Sequence, residues 1–117
     1  MFKRIYRRLR EAGFEAYSAG QHSGMCRAPY VVIKDGGQRA FNAALLCSVV
    51  EILAYFPAER FSEMEEYVRG VKEALAGLDF LKATGDETPV FLDERKRAYT
   101  TGVKYQYYKS KGEKNGG

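Results

Sequence analysis

The sequence predicts an α+β domain: a mostly antiparallel sheet of four to five strands with two helices packed on it. Three observations lead there. Apolar residues recur at helical spacing near both residue 5 and residue 70. Runs of β-branched and aromatic residues fill much of the remainder. Helices and strands do not alternate strictly, which favours an antiparallel sheet over a doubly wound parallel one. The chain has 117 residues and is 45% hydrophobic, with nine Tyr, seven Phe and no Trp, so it holds one core and not two. The domain is placed over residues 1–109, with 110–117 as a flexible C-terminal tail. A domain this short buries a modest share of its surface, so association with further copies would help it.

Residues 2–12 predict the first helix. Phe2, Ile5, Tyr6, Leu9 and Ala12 fall on one stripe, Lys3, Arg4, Arg7, Arg8 and Arg10 fall elsewhere, and Gly13 is a stop. Residues 14–18 predict a short strand and 19–28 a loop. Pro29 opens the strand Tyr30–Lys34, and Asp35-Gly36-Gly37 is a turn signal. The apolar run 43–56 has a length that suits either helix or strand. Its Val49, Val50, Ile52, Tyr55 and Phe56, closed by Pro57, favour strand. Ser62 with Glu65 is a capping box, and Met64, Tyr67, Val68, Val71, Leu75 and Leu78 form the stripe of a second helix ending near Gly77. Residues 80–84 predict a strand, Gly85–Pro89 a turn, and 90–97 an ambiguous charged segment. Residues 98–109 alternate as a last strand, with Tyr99, Thr101, Val103, Tyr105 and Tyr107 on one face.

Charge is uneven along the chain. Residues 1–40 carry eight Lys/Arg against three acids, 41–94 four against eleven, and 95–117 seven against one. Such segregation suits a basic face for nucleic acid, or unlike patches that meet between copies. No run of about 18 apolar residues exists, so no membrane partner is expected. The basic start, Met1–Arg8, is not followed by the pattern of a secretory signal. Cys26 and Cys47 have no metal-type spacing and read as reduced thiols of a cytosolic protein.

The search for chemistry assigns no catalytic, cofactor-binding or metal residue, and no cofactor. Gly36-Gly37 lacks the rest of a phosphate loop. A His22–Cys26 dyad would give a small enzyme, but no third group is marked to orient the base. Asp86, Glu87, Asp93 and Glu94 would make a divalent-ion cluster, yet their spacing matches no calcium loop. Lys104 and Lys109, interleaved with Tyr105, Tyr107 and Tyr108, are the features of a nucleic-acid module. The acidity of 41–94 and the lack of an RNA-binding motif disfavour direct nucleic-acid binding.

One resemblance joins these pieces. A short helix ending in Ala12-Gly13-Phe14 precedes Tyr17-Ser18-Ala19-Gly20-Gln21, and Gly24-Met25-Cys26 runs into Ala28-Pro29-Tyr30-Val31-Val32-Ile33-Lys34. Later come Tyr55-Phe56-Pro57, a Ser-initiated helix, Thr84-Gly85-Asp86-Glu87-Thr88-Pro89 and a Tyr-rich strand. This order, over about residues 1–109, resembles the tail completion (tail terminator) proteins of tailed phages and prophages of Gram-positive bacteria. Residues 40–48 depart from that pattern in being Ala/Leu-rich. The resemblance implies a non-enzymatic protein forming a homo-hexameric ring on the tail tube. Such a ring stops tube-protein polymerisation and meets the head–tail connector. It implies a place in the virion tail, with assembly in the host cytoplasm. Head–tail joining proteins, similar in size and ring behaviour, are the neighbouring expectation. The loops 19–28, 35–42 and 85–97 are the candidate reach toward a neighbouring copy or the tube.

Overall fold

The computed structural model describes residues 2–111. Helix α1 (Phe2–Glu11) leads to strand β1 (Ala16–Ser18), then β2 (Tyr30–Ala40) and β3 (Leu45–Pro57). A 3₁₀ segment (Ala58–Glu63) enters helix α2 (Met64–Ala76), followed by β4 (Lys82–Asp93) and β5 (Ala98–Ser110). The five strands form one sheet in the order β1-β2-β3-β5-β4. Only β1–β2 is parallel; the other pairs are antiparallel. The α+β fold with two helices on a mostly antiparallel sheet is therefore as the sequence predicts. The last strand runs to Ser110, one residue past the domain end placed at 109; residues 112–117 of the tail lie outside the described residues.

The apolar run 43–56 is a strand. Along β3, Ser48, Val50, Ile52, Ala54 and Phe56 are all buried, while Val49, Glu51, Leu53 and Tyr55 are half-buried. That two-residue period is what a sheet with one covered face requires. The covered face is the main core: Ile5 and Leu9 of α1 and Val71, Ala74 and Leu75 of α2 close on Val31, Ile33, Val50, Ile52, Val103 and Tyr105. Cross-strand partners share a face, so the pairing Val50↔Tyr105 and Ile52↔Val103 carries β5 into the same layer.

Three local expectations are corrected. Asp35-Gly36-Gly37 does not reverse the chain. Asp35 pairs with Val50 and Gln38 with Ser48, so Gly36 and Gly37 face Val49 alone, as a β-bulge inside β2. The turn chemistry is real: the Asp35 carboxylate accepts from the Gly37 amide at 2.8 Å, and Gly37 has φ +92°. It bends the strand instead of ending it. The reversal comes at Phe41–Ala44, where Asn42 Oδ1 accepts from the amides of Ala44 and Leu45, each at 2.8 Å. The loop expected at 35–42 is thus mostly strand.

Gly85–Pro89 is likewise not a turn but part of β4, with register shifts between Ala83 and Glu87 and between Thr88 and Phe91. Gly85 has φ +89°, and Pro89, which has no N–H to give, sits in the second bulge. The turn is the charged segment Glu94–Arg97.

The capping box at Ser62 does not form. The chain is already coiled through Ala58–Glu63, so α2 begins at Met64 with no side-chain hydrogen bond at its cap. A cap needs an extended backbone just before the helix, and none exists here. Gly70 inside α2 has a packing reason. A Cβ there would stand 3.2 Å from the Phe14 ring, whose edge closes the core between α1 and α2.

Candidate assembly interface

The strand order decides where charge lies. Strands β1 and β2 of the basic N-terminal part form one edge of the sheet, while α1 lies on the covered face against α2. Strand β4 forms the other edge, with β3 and β5 between and α2 on the covered face beside β4. Residues 58–94 hold ten acids against four bases, and residues 1–40 eight bases against three acids. At about 4.8 Å per strand the two edges stand roughly 20 Å apart. On the strands at these edges, β1 and β2 carry Lys34 and Arg39 against Asp35, and β4 carries Asp86, Glu87 and Asp93 against Lys82, so the two edges differ in sign.

Part of the basic helix is spent on the fold itself. The Arg8 guanidinium Nε donates to the Ala74 carbonyl at 2.8 Å, satisfying a carbonyl at the C-terminal end of α2. Arg4 lies 4.4 Å over the Phe80 ring, and Arg10 donates to the Ala16 carbonyl at 3.1 Å. Lys3 and Arg7 are exposed. Of the tyrosines that base stacking would use, Tyr105 is buried in the core and Tyr107 packs edge-on against Phe80, leaving Tyr108 exposed.

The remaining sequence candidates are dispersed or occupied. The loop 19–28 lies on the sheet face away from the helices, where Cys26, Tyr30, Val32 and Ala98 form a second small core. There the His22 ring stacks on Tyr30 at 3.9 Å, and Tyr30 stacks on Tyr55 at 4.8 Å. The Cys26 Sγ–H donates to the Ala28 carbonyl at 3.3 Å rather than to His22. Burial lowers the His22 pKa, and Lys96 nearby adds to that; burial pushes the Cys26 thiol up to about 11. Both shifts run against a thiolate–imidazolium pair. Glu87 accepts from Lys72 at 3.0 Å, and the Asp93 carboxylate accepts from the Lys96 amide at 3.2 Å. Among the described residues no group of three or more His, Cys, Asp or Glu side chains is placed to hold a metal ion. No described helix is long and apolar enough to cross a membrane.

Two features were marked in the sequence only as loops at 35–42 and 85–97 that reach toward a neighbouring copy. The first is a groove of about 600 Å³ between α2 and β4, where the bulged β4 parts from the helix. Phe61, Met64, Val68, Val90 and Thr101 line it, with Glu65–Arg69 (3.8 Å) and Lys72–Glu87 (3.0 Å) along its rim. Beside it the edge strand exposes Val90, Phe91 and Leu92 in succession. The second is an arm. The far ends of β2, β3 and β5 carry Phe41, 58% exposed, edge-on to Tyr108 at 4.7 Å. Arg39, Cys47 and Tyr108 are in register there on one face. No local signal reveals the Phe41–Tyr108 tip or the groove as such, because each joins elements that are distant in the chain.

Neither protein-family models nor curated protein sequences give a match to this chain.

Proposed function

We propose that the chain is a structural protein of a phage or prophage tail, acting as a ring of identical copies. It caps the tail tube, terminates tube polymerisation and forms the interface to the head connector. The observation that carries this reading is the opposite charge of the two sheet edges. An edge that attracts the opposite edge of the next copy makes a head-to-tail contact, which closes into a ring when the rotation per copy divides the circle. The exposed apolar run Val90-Phe91-Leu92 supports it, because an apolar edge strand calls for cover. The family resemblance supplies the ring of six, the tube protein and the connector as partners, and the virion tail as location. Within the same reading, a head–tail joining protein is the near alternative, distinguished by which partner the ring retains.

The test is solution mass together with negative-stain images of the purified chain, alone and with the tube protein. Rings that dissociate as ionic strength rises from 50 to 500 mM are expected, because contacts between exposed charges weaken once the Debye length drops well below 10 Å. A chain that stays monomeric under all these conditions would sink the reading. So would normal tail lengths and normal head attachment in virions lacking the gene.

A further inference from the structure

We infer that the arm tip of one copy seats in the α2/β4 groove of the next, with Phe41 as the anchor. This names the contact surface within the ring reading and rests on it.

The tip is built to be received. Phe41 stands in the turn between β2 and β3, and its exposed ring packs against Tyr108. A large aromatic held in place loses little freedom on binding, which is why such residues anchor interfaces. Around it, residues 34–41 and 104–111 carry Lys34, Arg39, Lys104, Lys109 and Lys111 against one acid, Asp35.

The groove has the matching properties. Its walls are apolar at Phe61, Met64, Val68 and Val90, and about 600 Å³ holds an aromatic side chain with room for its neighbours. Its rim is balanced, with Glu65 and Glu87 against Arg69 and Lys72, but residues 58–94, which build most of its walls, carry ten acids against four bases, so the basic arm meets unlike charge.

The occupant comes from another copy. Thr101, in the groove, pairs with Ala54, whereas the arm turn ends at Leu45. Nine residues along β3 separate them, about 30 Å at the strand rise. The arm also points along the strands, away from the groove. A tip and a groove at different places on one molecule form the unlike pair that a head-to-tail assembly needs.

The experiment uses two variants of the full chain, Phe41→Ala and Val68→Asp, with circular dichroism confirming the fold of each. The first has a groove and no anchor; the second has an anchor and a spoiled groove. Sedimentation velocity is expected to show each variant alone associating about 30-fold more weakly than the wild type, the usual loss on truncating a buried anchor. Mixed together they restore one contact and form a heterodimer that grows no further. Phe41→Ala rings as stable as the wild type, or a mixture that stays monomeric, would overturn the seat while leaving the ring reading standing. A wild type that never associates overturns both. Phe41-dependent retardation of a single-stranded oligonucleotide, with assembly unchanged in the variant, would also overturn the seat.

Discussion

At the scale of single residues, the tightest constraint is backbone approach. A Cβ on Gly36 would lie 2.9 Å from Val49 Cγ1 and 3.0 Å from the Val49 carbonyl oxygen. The carbonyl belongs to a central strand and has nowhere to move. Gly36→Ala should therefore destabilise the fold by about 1–3 kcal/mol, the range for overpacking. Chemical denaturation measures it, and an unchanged midpoint would show that β2 can shift outward at no cost. Cys26 makes a second residue-scale statement. Its thiol pKa is raised on folding, from an ordinary value near 9 to about 11. The unfolded chain thus loses that proton first as pH climbs. The stability it contributes is complete below pH 9 and disappears as pH rises through about 11. Native protein at pH 8 should react with a thiol reagent only slowly, and both buried cysteines should become reactive on unfolding. Rapid modification of the native protein would contradict this.

Among the elements, β4 stands apart. It is an edge strand with two register breaks, and Val90, Phe91 and Leu92 are each at least 44% exposed. Bulges and a proline are ordinary protection for an edge; three adjacent exposed apolar side chains are not. These side chains contribute little to the isolated domain and are candidates for burial between copies. Phe91→Lys is expected to leave the thermal midpoint nearly unchanged, within about 0.5 kcal/mol as for other surface substitutions. It should also delay the onset of light scattering on heating. A large loss of stability would place Phe91 in the fold instead. The turn signals belong to this scale as well. Asp35-Gly36-Gly37 and Gly85–Pro89 were legible as sites of unusual backbone. Whether such a site reverses a strand or bulges it depends on the partner strand, and in both cases the partner continues past it.

Over the whole molecule, the arrangement of charge matters more than its net value of +4. A basic edge and an acidic edge on opposite sides of one sheet repel like edges and attract unlike ones. They therefore select head-to-tail contact over two-fold pairing of the same edge. The salt sensitivity expected of assembly belongs to this scale, because it sums over many exposed charges, each worth little alone.

The sequence by itself determined the fold class and located the helices and strands, but not the lengths of β2 and β4. Helical stripes and strand alternation are local properties of side-chain spacing, and Ile5, Leu9, Val71 and Leu75 entered the core as their period required. It also showed that charge is segregated, though only along the chain. Tertiary structure alone decided the rest. The order β1-β2-β3-β5-β4 turned that segregation into two opposed edges, and the parting of β4 from α2 opened the groove. Folding carried Phe41 and Tyr108, 67 positions apart, into one exposed tip. The reason is physical: spacing along a chain fixes which face a side chain takes, whereas strand order and edge exposure follow from how all the faces are buried together.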